Sequence, residues 1–390
     1  MTITEKTGGF VIMDENKNIH LVVKEEPLAG FSMTNVFRVL WQNKFNIHIK
    51  YWPRFWYAIG LSAITAPLRW VEKIRFHRKI KNTKVNTDPL FIIGHYRTGT
   101  TYLITLLAHD KSKGYVSNLE AYAPHYFLAF EKFTKGLLDF SLPESRPMDD
   151  VIMGSDEPTE EEYAIGATDK YGFYNGFIFP KNFELYSRYN SFDKCSPKDL
   201  ARWRKRYDYF VKKMTLKYNG KMLFLKNPAN TYRLKTILEM YPNAKFVHIY
   251  RDPYKMYSST LRFFREVFAI YALQTWKDED LQQGILDNYA EMYEKFNEDR
   301  NLIPKENLVE IQYEEFIKDP LPHIERIYKD LRIDGFEEYK ERFTKYIESQ
   351  ATYTPNKHKI SNDIISRVNK HWDFIRDQHG YEKLEPNGHQ

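Results

Sequence analysis

The chain has 390 residues, 42% hydrophobic and 16% aromatic, which is enough to bury a large core and too apolar for disorder. Its formal charge of +6 suits an anionic ligand or an acidic membrane surface, whereas the basic residues are not gathered into a nucleic-acid-binding module. Cys195 is the only cysteine, so an intrachain disulfide is excluded; residues 1–10 lack the apolar core of a secretory signal, and the expected location is cytoplasmic.

Residues 10–23 carry apolar runs on both sides of Asp14-Glu15-Asn16-Lys17-Asn18 and read as a β-hairpin. Over residues 33–44 the apolar Val36, Phe37, Val39, Leu40 and Trp41 recur at helical spacing. Residues 55–68 hold no charge, but 14 residues are too few to span a bilayer comfortably. Arg54 and Arg69 bracket that run, and Lys73, Arg75, Arg78, Lys79 and Lys81 follow it. Two readings fit residues 55–81: an interfacial element touching a membrane surface, or a core helix with a solvated basic neighbour.

From Leu90 onward, short apolar strands alternate with helices, which predicts an α/β fold with a P-loop-like parallel sheet flanked by helices. The predicted strands are residues 90–93, 115–117, 222–225, 246–250 and 309–312. About a hundred residues separate the second from the third, far more than one crossover needs, so residues 121–220 are predicted to be a helical insertion for acceptor recognition. Within it, residues 197–219 form an amphipathic helix whose stripe is Leu200, Trp203, Tyr207, Phe210, Val211 and Met214, ended by Gly220. The expected organisation is a hairpin and hydrophobic, basic helical extension over 1–88, then the catalytic domain over 89–390.

Two stretches carry the chemistry. The strand Phe91-Ile92-Ile93 empties into Gly94-His95-Tyr96-Arg97-Thr98-Gly99 and a helix starting at Thr100-Thr101, so free backbone N–H groups at the helix start point at an anion. The Gly-x4-Gly spacing copies the P-loop of nucleotide hydrolases, yet Thr100 stands where that motif needs Lys. Positive charge reappears inside the loop as Arg97. The second stretch is the strand 246–250, ending in Arg251, with Asp252-Pro253 as a helix start and Ser259 about two turns along, at 3.6 residues per turn.

With these residues the chain resembles the sulfotransferases that use 3′-phosphoadenosine 5′-phosphosulfate (PAPS), and in particular a bacterial branch with an N-terminal hydrophobic segment that includes sterol-acting enzymes. Arg97-Thr98-Gly99-Thr100-Thr101 looks like their 5′-phosphosulfate loop, and Arg251 with Ser259 like their 3′-phosphate clamp. Lys226-Asn227-Pro228-Ala229, residues 148–163 with Asp156-Glu157-Pro158, and residues 306–320 extend the likeness over roughly residues 30–335. The resemblance implies a PAPS-dependent transfer to an alcohol, with Arg97 and Lys226 stabilising charge and Tyr313 beside the adenine.

For the general base the family divides between a histidine after the lysine and a glutamate after the second strand. Asn227-Pro228 supplies no histidine, so Glu120 is the first candidate. His125, His95, Asp156 and Glu157 compete with it, the last two because the family segment they resemble borders the acceptor pocket. Thr159 with Glu162 fits a helix capping box. A singly charged sulfuryl group gives little reason to expect a metal, and none is predicted. The acceptor is expected to be a small lipophilic alcohol, sterols first, with sugars or glycolipids as the alternative; oligomeric state is not legible. A P-loop kinase is the rival enzyme reading, opposed by the missing lysine.

Overall fold

The computed structural model describes residues 21–24, 26–142, 153–350 and 360–386, so the hairpin expected at 10–23 lies almost wholly outside the described residues. Contacts divide the chain into two compact units, each assembled from three stretches: Met1–Thr83, Ser117–Lys213 and Arg262–Gln283 in the first, Lys84–Val116, Met214–Leu261 and Gly284–Gln390 in the second.

The first unit opens with helix α1 (Met33–Gln42), whose start is fixed by Ser32 accepting the Asn35 N–H. Val36, Val39 and Leu40 point inward, but Phe37 and Trp41 of the expected stripe face solvent. The uncharged run 55–68 is not one helix. It splits at Thr65 into α2 (Trp52–Ile64) and α3 (Ala66–Asn82), because Pro67 lacks an N–H and belongs in the first turn of a new helix. The buried residues of α2 are Arg54, Ala58 and Ser62. Arg54, expected as a surface cation flanking the run, is instead a core residue. Its guanidinium donates to the Ala269 carbonyl at 2.9 Å and the Ala272 carbonyl at 3.4 Å. Burial of a cation this deep is tolerated only with such acceptors. The helix Pro197–Lys217 buries Trp203, Tyr207, Phe210, Val211 and Met214, as its stripe predicts, and Gly220 at φ +82° follows its end.

The second unit holds all five predicted strands: β1 (Leu90–Ile93), β2 (Gly114–Tyr115), β3 (Leu223–Lys226), β4 (Lys245–Tyr250) and β5 (Leu308–Gln312). They form one parallel sheet in the order β2-β3-β1-β4-β5. Every residue of β1 is buried, since both faces of the sheet are covered. Leu90 and Ile92 pack with Leu103 and Ile104 of α4 (Thr100–Leu107) and with Ile324 and Ile327, while Phe91 stacks on Phe246 with ring centroids 5.6 Å apart. The edge strand β5 buries only Val309 and Ile311 in alternation. β1 lies between β3 and β4, so the order reverses at the centre of the sheet, where open α/β sheets gather ligands at the carboxyl ends of their strands.

Candidate active site

The register Ile92↔Lys226 and Ile93↔His248 brings the ends of β1, β3 and β4 to one edge of the sheet, so the two anion-binding stretches are neighbours in the second unit. Gly94 leaves β1 at φ +137°, and a Cβ there would come within 2.4 Å of the Ile249 carbonyl oxygen. Its N–H donates to Thr231 Oγ1 at 2.9 Å, a positioning contact from the turn after Lys226. The loop then turns through Arg97 at φ +68° and Gly99 at φ +97°, the N-cap of α4. A side chain at Gly99 would meet the Tyr313 ring at 2.5 Å. Thr98 Oγ1 donates to the His95 carbonyl at 2.7 Å and closes the turn.

Arg97 joins the two motifs. Its Nε donates to Ser259 Oγ at 3.0 Å, and Arg251 Nη1 donates to the Arg97 carbonyl at 2.8 Å. Pro253 starts the helix Pro253–Tyr271, with Asp252 Oδ1 accepting the Tyr254 N–H at 2.9 Å, which sets Ser259 on its buried side. The Arg251 guanidinium lies 4.3 Å from the Tyr313 ring centroid. A nucleotide carrying phosphate at both ends fits these residues: α4's first amides, two arginines, a serine hydroxyl and a tyrosine face occupy one edge, and glycines stand where a Cβ would intrude.

Lys226 ends β3 and is buried, in the strand-end position expected for it. Asn227 Oδ1 accepts the Ala229 N–H at 3.0 Å and shapes the turn that follows. Thr100 is buried at the start of α4 and Thr101 half-buried beside it. His95 is buried, its Nδ1 3.2 Å from the Tyr96 carbonyl and its ring edge-on to Tyr289 at 4.6 Å. Burial pushes its pKa down to about 3, so it is neutral at pH 7.

The remaining candidates belong to the first unit. Glu120 does not end the second strand as expected: β2 stops at Tyr115, and Glu120 is the third residue of α5 (Asn118–Tyr122). Its Oε2 accepts from the Ser117 N–H and the Ser117 hydroxyl, both at 2.7 Å, while Ser117 Oγ accepts the Leu119 N–H. The capping box is therefore Ser117-x-x-Glu120. It is not at Thr159/Glu162, because Glu162 is buried and accepts the Phe173 N–H at 2.8 Å. The Ser-x-x-Glu spacing was present in the sequence as its signal.

Residues Gly154–Pro158 dock on the start of α5, with Asn118 N–H donating to the Glu157 carbonyl and Leu119 N–H to the Ser155 carbonyl. The exposed Asp156 carboxylate pairs with Lys135 at 2.7 Å. Sequence reasoning passed over Lys213, which hides inside its helix's apolar stripe. Its buried ammonium pairs with Glu72 and donates to the Pro124 carbonyl. Glu72 also accepts the Leu128 and Ala129 N–H groups. Half-buried His125 sits next in this network, held down to about 3 by desolvation and by the cations Arg69 and Lys213. A narrow cleft opens in the same unit between Pro27, Phe31, Tyr122, Tyr163, Tyr174 and Tyr271.

Residues 89–338 match the family model described as the sulfotransferase family. An omega-hydroxy-beta-dihydromenaquinone-9 sulfotransferase, Stf3, of Mycobacterium bovis is 31% identical over 358 residues, 92% of this chain and 92% of that protein. Among solved structures, sulfotransferase STF9 from Mycobacterium avium superimposes with a TM-score of 0.65 at 18% identity, over 85% of this chain and 87% of that one. STF1 from Mycobacterium tuberculosis gives 0.55 at 16% identity, over 92% and 94%. The chain therefore belongs to the sulfotransferase family.

Proposed function

We propose that the protein moves a sulfuryl group from PAPS to the hydroxyl of a lipophilic small molecule. The observation that carries this reading is Arg97, a loop residue whose side chain donates to Ser259 and whose backbone carbonyl accepts from Arg251, so that the loop and the second motif are joined at one residue. In this reading Arg97, Thr98, Gly99, Thr100 and Thr101 hold the 5′ end of the donor, Arg251 and Ser259 its 3′-phosphate, and Tyr313 its adenine. PAPS supplies an activated sulfuryl group on a phosphate leaving group. Arg97 and Lys226 neutralise the negative charge that develops there, and positioning with electrostatics does the rest without a metal. Glu120 takes the acceptor proton, with His125, Asp156 and Glu157 around the acceptor.

The named substrate of the mycobacterial relative favours an isoprenoid lipid alcohol, either a sterol or a hydroxylated prenyl quinone. Residues 55–81 make peripheral contact with a membrane on the cytoplasmic side. In a thermal-shift experiment 3′-phosphoadenosine 5′-phosphate raises the melting temperature and ATP with magnesium does not. A PAPS-driven screen of sterols, prenyl quinone alcohols, phenols and sugars, read by mass spectrometry, returns sulfated lipids; activity on sugars alone removes the lipid preference.

A further inference from the structure

We propose that the outward faces of α1, α2 and α3 form a docking surface on which the protein lies against an anionic lipid bilayer, the helices parallel to the membrane plane. This rests on the peripheral membrane contact proposed above and deepens it, naming the lipid class, adding α1 and the turn after it, and removing Arg54 from the contacting set.

The polarity of α2 is inverted for a protein bathed only in water. Arg54, Ala58, Ser62 and Thr65, spaced i, i+4, i+8 and i+11, share one face, and that face is buried. The opposite face presents Trp52, Trp56, Ala63 and Ile64, with Trp56 57% and Ile64 74% exposed. Amphipathic surface helices do the reverse. α3 continues the pattern with Trp70, Val71 and Ile74, the last 79% exposed, and α1 adds Phe37 and the 77% exposed Trp41 on one side. Phe45 and Ile49 follow in the turn. Four of the chain's seven tryptophans are exposed here, and tryptophan is the side chain that settles at the headgroup level of a bilayer.

Charge selects the occupant. Between Met33 and Asn82 stand ten Lys and Arg and one carboxylate, so the positive excess of the whole chain resides in this segment. The lone carboxylate, Glu72, is buried on Lys213 and two backbone amides and contributes nothing outward. Lys73, Arg75, Arg78, Lys79 and Lys81 are exposed beside the apolar strip. An anionic leaflet satisfies both features together. A second copy of the same face would set these cations against one another, which disfavours self-association. At 13 residues α2 is about 20 Å long, short of the roughly 30 Å hydrocarbon core, which fits lying on the surface rather than crossing it.

The test uses the full chain in co-sedimentation with vesicles of phosphatidylcholine alone or mixed with phosphatidylglycerol, without nucleotide or acceptor. Binding to the mixed vesicles is expected, with brominated lipid quenching tryptophan emission. A Trp56→Glu/Ile74→Glu variant loses at least about tenfold in partitioning. An Arg75→Glu/Arg78→Glu/Lys79→Glu variant loses the preference for phosphatidylglycerol, about fivefold for each charge removed. Both variants keep the wild-type melting temperature and its rise with 3′-phosphoadenosine 5′-phosphate, so failure of the docking surface and failure of the donor site register separately. The proposal is overturned by wild-type protein that ignores both vesicle types, by binding that the Trp56/Ile74 variant retains, or by a concentration-dependent dimer that this variant abolishes.

Discussion

The loop after β1 and the helix α2 solve opposite problems with opposite polarity. Around the loop, apolar strands fill the interior and Arg97, Lys226 and Arg251 stand at or just past the strands' carboxyl ends, so the residue pattern and the fold agree. In α2 an arginine is fully buried while tryptophans stand in solvent. Burial of Arg54 is stabilised by carbonyl groups of residues far along the chain, Ala269 and Ala272. Burial within α2 therefore follows the hydrogen-bond partners that distant residues supply rather than side-chain hydropathy alone.

The comparison breaks first at the reaction. Arg97→Ala should cut turnover by about 10² to 10³ if the guanidinium stabilises the transition state. Glu120→Gln should cut it by about 10² to 10⁴ if the carboxylate is the base. The capping box makes this second test informative, because glutamine can still accept the Ser117 N–H and keep α5 capped, whereas Glu120→Ala loses roughly 0.5–2 kcal/mol of stability as well. Near-normal turnover in Glu120→Gln leaves Glu120 a cap and nothing more.

Stability sharpens the contrast within one helix. Arg54→Ala should cost about 3–5 kcal/mol in urea unfolding, since it removes a buried charge and strands two carbonyls. Trp56→Ser, two residues along, should stay within about 0.5 kcal/mol despite removing the larger apolar side chain. Equal losses for the two would refute the inverted polarity. Gly99→Ala lies between them: with φ +97° and the Tyr313 ring 2.5 Å from the added methyl, the cost is of order 1–3 kcal/mol, and the nucleotide-induced rise in melting temperature should vanish.

The smallest effect is a pH slope. Burial lifts the Glu26 carboxyl from its ordinary 4.5 to about 8, with Arg54 pulling the other way. A carboxyl raised on folding binds its proton more tightly in the native state, so its contribution is fully present below pH 4.5 and lost as pH rises through 8. Unfolding free energy of the wild type should fall across that window relative to Glu26→Gln, whose profile is flatter there.

The strands were legible where an apolar run marks them: β1 and β3 are buried on both faces and read without alternation, while the edge strand β5 alternates. The positions of Arg97, Arg251 and Ser259 were legible for the same reason, since strand ends and helix starts are local. Other features were not local. The Ser117–Glu120 cap was hidden because the strand before it is two residues long, so Glu120 looked like a strand end. Lys213 drew no notice beside the apolar stripe, because nothing nearby in sequence reveals that Glu72, 141 residues earlier, receives it.

The amino-acid sequence by itself determined the glycine-flanked strand-loop-helix, the parallel sheet under it and the family, because turn chemistry and hydrophobic period act over a few residues. Tertiary structure alone decided which side of α2 faces inward and which carboxylates are spoken for by caps and ammonium groups. Those outcomes depend on the partners that long-range folding brings to a buried polar atom, and the desolvation of such an atom is too costly to leave to local preference.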